Sequence, residues 1–268
     1  MPRRAFLLAA GVAGAVATVP ALAQVDVGDA SRLRSLVPAE EIEAASVQEY
    51  SKLLAQARQQ GALAPDGHPQ LQRLRGIANR LIPHSAQWNS RARQWRWEVN
   101  LIGSKQINAF CMPGGKIAFF TGILDQLKLT DDEAAMVMGH EMAHALREHG
   151  REAMSKAYGI EMAKQGAGAL FGLGSDTLAL ADTVANYGMT LPNSRANENE
   201  ADLIGLELAA RAGYNPNAAI TLWNKMAKAS EGSPPEFMST HPASSSRIAS
   251  LQAAIPKVMP LYEQAKKS

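Results

Sequence analysis

A single cysteine, Cys111, stands in a chain of 268 residues. It can close no internal disulfide, and it cannot build the multi-thiolate cage of a structural zinc module. Its simplest role is that of a small buried apolar residue. An excess of either charge is also missing. The chain carries 27 basic and 25 acidic side chains; Arg3 and Arg4 stand in the N-terminal leader, and without them the count is 25 against 25. Such a balance gives no electrostatic footprint for nucleic acid or anionic lipid. Internal repeats are absent. The apolar run Phe6 to Val19 is shorter than the roughly 20 residues a spanning helix needs.

That run has a different use. Two arginines precede it and Ala21-Leu22-Ala23 follows, small residues on both sides of a bulky one. This is the order of a cleaved secretory signal peptide over residues 1–23, which leaves residues 24–268 as one exported, soluble domain without a spanning helix. Arg3-Arg4-Ala5-Phe6-Leu7 fits a twin-arginine signal and equally the positive start of a general secretory signal. No cysteine follows the run, so a lipoprotein anchor is not expected. With 46% hydrophobic and 19% charged residues, the remainder is an ordinary globular chain with enough apolar mass for a core.

The punctuation of the sequence predicts mostly helix. Pro38, followed by Glu40, Glu41 and Glu43, opens a helix running to Gly61, and a second covers Pro69 to Leu81 with Leu71, Leu74, Ile77, Ala78 and Leu81 on one face. Trp95 to Ile102, Gln106 to Met112 and Lys116 to Thr121 read as short strands of a small antiparallel sheet, with Pro113-Gly114-Gly115 as a turn. Thr130 and Glu133 form a capping box for a helix to about Glu148. The Gly/Ala-rich stretch 166–189, interrupted by Asp176 and Asp182, reads as a small-residue helix in the core, with a lid-like segment as the alternative. Further helices are expected from about Asn197 to Gly213, from Asn215-Pro216 to Ala229, and from Ser244 to Ala254, with a loop at Glu231 to Pro235.

The chemistry is concentrated in His140-Glu141-Met142-Ala143-His144. On a helix, residues four apart share a face, so both imidazoles can reach one metal ion. Chance produces this pattern in roughly one chain in a hundred of such composition. Glu141 can take a proton from a water on the metal and pass it to a leaving amine. A third ligand from Glu198 would complete a two-histidine, one-carboxylate zinc site with one Zn2+ per chain and an open position. Asp202, one turn on, can accept the second ring proton of a ligand histidine. Glu200 reads as part of an acidic, solvated helix start. His149 is expected to face solvent, and His68 and His84 have no assigned chemistry. The strand Lys116 to Phe120 either offers an edge to an extended substrate or is internal.

His140 to His144 followed by Glu198-x-x-Ala201-Asp202 resembles the gluzincin metallopeptidases related to HtpX and the CAAX prenyl endopeptidases. Asn108-Ala109-Phe110 with Pro113-Gly114-Gly115, Ser194-Arg195, and Thr240-His241-Pro242 with Arg247 resemble further motifs of that family, so the likeness spans about residues 102–251. It implies an α+β, mostly helical zincin-type fold with one small antiparallel-containing sheet beside the metal helix. The signal peptide and lack of spanning helices make the chain similar to the exported BepA/LoiP-like type. That implies a periplasmic endopeptidase acting on unfolded or misassembled envelope proteins, with the outer-membrane assembly machinery as a partner. In the family's closing motif, His241 either stabilises the oxyanion, or occupies the fourth metal position and holds the enzyme off, or orders its loop. Arg247 either assists the oxyanion or pairs with an acidic residue of the site. A chaperone-like assembly factor with a gated zinc site is the alternative function; a metal-dependent hydrolase of non-peptide substrates shares the same chemistry.

Overall fold

The computed structural model describes residues 25–165, 193–231, 235–242 and 244–267. The signal peptide read over residues 1–23 and the Gly/Ala-rich stretch 166–189 lie outside them. Nine α-helices and three strands are present among the described residues: α1 (Ala39–Gln59), α2 (Pro69–Leu81), β1 (Glu98–Ile102), β2 (Ala109–Met112), β3 (Lys116–Phe120), α3 (Thr121–Gln126), α4 (Asp131–Arg147), α5 (His149–Gln165), α6 (Arg195–Arg211), α7 (Ala218–Ala229), α8 (Glu236–Thr240) and α9 (Ser245–Ala265). No helix among them is long and apolar enough to cross a membrane.

The strands alternate sides, and each face of the sheet has its own helix layer. Leu101, Ala109, Ile117 and Phe119 join the main core with Leu71, Leu74, Ile77 and Leu81 of α2 and Val137, Met138 and Met142 of α4. Ile102, Phe110, Met112 and Ala118 point the other way, onto Tyr50 and Ala57 of α1. The period-2 pattern thus becomes a sheet covered on both faces. Full burial of each α2 leucine or isoleucine contributes about 1.5–3 kcal/mol, which ties α2 to this layer.

The sheet is mixed, in the order β1-β3-β2. β2 and β3 form the expected antiparallel hairpin, whereas β1 runs parallel to β3, from Glu98 opposite Lys116 to Ile102 opposite Phe120. The hairpin fills one edge of β3, so β1 takes the other, and the connection between β1 and β2 must cross the end of β3. It does so over Gly122, where a Cβ would meet Gln106 O at 2.3 Å. A consequence is that β3 is internal and offers no edge, which decides against the edge reading of Lys116 to Phe120; β1 and β2 are the outer strands.

α4 is buried on nearly every side, and its ends are fixed by sequence. Thr130 accepts from the Glu133 N–H, and the Glu133 carboxylate accepts from the Thr130 N–H. Glu133 also accepts from Thr221 and Lys225, joining the start of α4 to α7. At its far end Glu148 adopts a left-handed conformation, φ 58°, and α5 begins at once. That second helix was not anticipated. Nor was the length of α9, which continues through Pro256 and Pro260, with Ile255 and Val258 buried in the core. Packing there outweighs the two lost backbone donors.

α4 and α6 cross at a point where neither carries a side chain. A Cβ on Gly205 would lie 2.6 Å from His140 N, and one on Gly139 would lie 2.7 Å from Gly205 O. Both obstacles are backbone, which cannot swing aside. Gly205→Ala is therefore expected to lower the free energy of unfolding by about 1–3 kcal/mol, the cost of overpacking; urea denaturation of the two proteins checks this.

Candidate metal centre

The crossing of α4 and α6 brings together residues 58 positions apart in sequence. His140 and His144 lie on successive turns of α4, and Glu198 lies in the first turn of α6, whose N-cap Ser194 accepts from the Asn197 N–H. His241 joins them from the C-cap of α8, where its N–H bonds Phe237 O and its ring lies 4.5 Å from the Phe237 ring. All four are buried, and one donor atom from each lies within 4.8 Å of the others.

The spacing of these atoms suits a metal ion. Ligands held tetrahedrally at about 2.0–2.1 Å stand about 3.3 Å from one another. His140 Nε2 is 3.1 Å from His144 Nε2 and 3.6 Å from Glu198 Oε2. His144 Nε2 is 3.3 Å from Glu198 Oε1. His241 Nδ1 is 3.3 Å from His140 Nε2 and 3.0 Å from Glu198 Oε1. Burial pushes the pKa of His140 down to about 4 against the pull of Asp202 and Glu198, so the ring is neutral, as a ligand must be. Burial acts to raise the Glu198 carboxyl, but its contacts with the His144, His241 and His140 imidazoles outweigh it and hold the group well below the usual carboxylate range.

Glu141 is adjacent to this cluster. Its side chain is buried, burial pushes its pKa up to about 8, and Oε1 makes no hydrogen bond. His241 Nε2 lies 3.4 Å from that oxygen, so the His241 ring sits between the cluster and Glu141. A cleft lined by Cys111, Met112, Glu141, His144 and His241 runs alongside, bordered by strand β2.

Asp202 and Arg247 support the cluster from behind. Asp202 Oδ1 lies 3.0 Å from His140 Nδ1. Arg247 meets Asp202 with two parallel bonds of 2.6 and 2.8 Å, lies 2.7 Å from Glu198 Oε2, donates to Pro242 O, and stacks over Trp223 at 4.0 Å. Arg247 thus touches two acidic residues of the site. Burial acts to raise the Asp202 carboxyl; the bonds from Arg247 and His140 outweigh it and lower its pKa.

Two residues depart from expectation. His149 does not face solvent: it is 2% exposed, and its Nδ1 lies 2.9 Å from His144 Nδ1. Glu200 is not a solvated helix start, since its carboxylate meets His149 and Arg147. The left-handed Glu148 turns the chain back under the metal helix, and no helical period links His149 to His144. The available signal was a third histidine five residues on, in a chain with only six.

Residues 69–255 match the profile of Peptidase family M48. The chain is 34% identical over 197 residues to "Mitochondrial metalloendopeptidase OMA1" of Schizosaccharomyces pombe, covering 73% of this chain and 56% of that protein. It is 33% identical over 150 residues to "Metalloprotease LoiP" of Escherichia coli, covering 54% and 57%. It is 31% identical over 180 residues to "Beta-barrel assembly-enhancing protease" of Escherichia coli, covering 61% and 35%. The chain thus spans less than two thirds of the length of each of these relatives.

Arg247 is the cation that compensates two buried carboxylates. Removing one partner of such a pair costs about 3–5 kcal/mol, so Arg247→Met is expected to destabilise the metal-free protein by that amount at pH 7. Asp202 has a folded pKa below its ordinary 3.8, so its contribution is present above that value and is lost as pH falls through the lower folded pKa. The gap between wild type and variant should therefore narrow below about pH 3.8, as urea titrations at pH 7 and pH 3 would show.

Proposed function

The chain belongs to peptidase family M48, and from that premise we propose that it is a zinc-dependent endopeptidase in which His140, His144 and Glu198 hold the metal and Glu141 is the general base. The observation that carries this reading is the buried set of nitrogen and oxygen donors with a carboxylic acid directly beside it. The donors include no thiolate, and imidazole with carboxylate suits zinc. Zinc bound there supplies a Lewis acid and brings the pKa of its water to about 7.

The chain's own residues do the rest. Glu141 is poised for proton transfer: burial favours its acid form, and a neighbouring dication favours its carboxylate. As carboxylate it takes a proton from the attacking water; as acid it returns that proton to the leaving amine. Asp202 holds His140 by Nδ1, and Arg247 holds both Asp202 and Glu198. The free edge of β2 beside the cleft receives an extended peptide by backbone pairing, which imposes little sequence preference.

In the same reading, residues 1–23 are a cleaved signal, residues 24–268 one peptidase domain, and the site of action the periplasm, reached by the twin-arginine or general secretory route. The substrates are unfolded or misassembled envelope proteins, and the outer-membrane assembly machinery is a partner. The leader pattern supports export, and the relative named as a β-barrel assembly-enhancing protease supports the substrate class.

A second reading has its own observation. His241 contributes a donor atom to the cluster, so it can close the fourth position and keep the site silent. Resting activity would then be low, and a chaperone-like role in envelope-protein assembly could dominate.

Glu141→Gln removes the base and spares the ligands. Zinc content should stay at one per chain, while casein cleavage falls by about 100- to 10,000-fold, the usual worth of a general base; cleavage at the wild-type rate would sink the assignment of Glu141. His241→Ala separates the two readings. A gating histidine predicts faster casein cleavage with zinc retained, and an oxyanion role predicts slower cleavage.

A further inference from the structure

His144 faces two ways. Its Nε2 points into the donor cluster, 3.1 Å from His140 Nε2 and 3.3 Å from Glu198 Oε1. Its Nδ1 points away, 2.9 Å from Nδ1 of the buried His149. His149 sets its other nitrogen, Nε2, 3.3 Å from Glu200 Oε2. The remaining oxygen of Glu200 is taken by Arg147 Nε. No step of the proposed reaction uses His149, Glu200 or Arg147.

We propose that His149, oriented by Glu200, is a positioning residue that fixes the tautomer of His144 and thereby sets the affinity of the site for its metal. The inference rests on the reading of His144 as a ligand through Nε2. Neutral imidazole carries one ring proton, so a ligand nitrogen at Nε2 requires the proton at Nδ1. An ionised carboxylate only accepts. Glu200 therefore takes the His149 proton at Nε2, which leaves His149 Nδ1 bare and able only to accept. The atom facing it, His144 Nδ1, must then be the donor, and the lone pair of His144 is delivered to the cluster.

Arg147, by occupying the second oxygen of Glu200, holds the start of this chain in place. The other ligand histidine is served directly, since Asp202 Oδ1 meets His140 Nδ1 at 3.0 Å. Both carboxylates come from α6, as does Glu198, so one helix supplies a ligand, the group that meets His140 and the group that orients His149.

The test is zinc affinity, measured by competition with a chromophoric chelator on the purified protein, for wild type, His149→Asn and His149→Leu. Asparagine places Oδ1 about where the imidazole has Nδ1, so it keeps the acceptor; leucine fills the space and accepts nothing. Loss of such a partner typically costs about 10- to 100-fold in metal affinity. That loss is expected for His149→Leu, with His149→Asn close to wild type. Were His149 only a packing residue, leucine would be tolerated in this buried position at least as well as asparagine, so equal or reversed affinities would overturn the proposal.

Should the leucine variant fail to fold, histidine 15N spectra of the metal-free wild type decide. A proton on His144 Nδ1 supports the proposal, and a proton on Nε2 overturns it. Zinc binding with the expected ranking but no peptide cleavage would defeat the peptidase reading and leave the positioning role standing. Cleavage by wild type without that ranking would do the reverse.

Discussion

The contact on which the site depends is between two backbones. α4 and α6 touch at Gly139 and Gly205, so closely that a methyl group on either would collide with main-chain atoms of the other. Helices separated by ordinary side chains stand about 8–10 Å apart. A carboxylate on a short stem such as Glu198 could not then share a coordination sphere with His140 and His144. Removing two side chains lets the helices approach until donors from both converge. The two glycines sacrifice some helix propensity, and the capping box at Thr130 and the cap at Ser194 offset part of that cost.

Close approach creates an electrostatic problem that the same residues resolve. Glu141, Glu198 and Asp202 are buried beside the imidazoles of His140, His144 and His241. Glu198 and Asp202 are held ionised, with Arg247 as the guanidinium that touches both, while burial favours the acid form of Glu141. Two negative charges against one positive make the pocket attractive to a cation. A dication there would in turn favour ionisation of Glu141, so the proposed ligand set and the proposed base would be coupled through charge as well as by proximity. Arg247 fits its place because a planar fork can serve Asp202 bidentately, reach Glu198 and stack on Trp223, which a lysine could not do.

Much of this was legible in the sequence, and the boundary has physical causes. His140, Glu141 and His144 declare themselves because a helix has a fixed period. The capping box at Thr130 and the start of α2 at Pro69 are local features that the chain writes out in order. Glu198 could be read from the acidic start of the next helix, with Asp202 one turn on, whereas His241 and Arg247 came from family resemblance rather than from spacing. Strand order was illegible, since the parallel pairing of β1 depends on a connection crossing at Gly122, where local pattern carries no signal. The helix expected to end at Ala254 runs on as α9 through Pro256 and Pro260, because burial of Ile255 and Val258 carries it past them.

His149 shows most clearly why local period fails. A residue five places after His144 would stand 140° around a continuous helix and point away from it. Glu148 breaks the continuity with φ 58°, a conformation that costs a side-chain-bearing residue about 1 kcal/mol or more. The strain is located where the chain must turn within one residue from α4 into α5. Arg34, from a distant segment, and Arg151, in the first turn of α5, engage the Glu148 carboxylate and hold the turn. Its product is an imidazole placed 2.9 Å from the outer nitrogen of His144. An unstrained helix would leave His144 to find its partner in solvent, where either ring nitrogen can carry the proton. The kink exchanges a small local cost for a defined hydrogen-bond direction at the site.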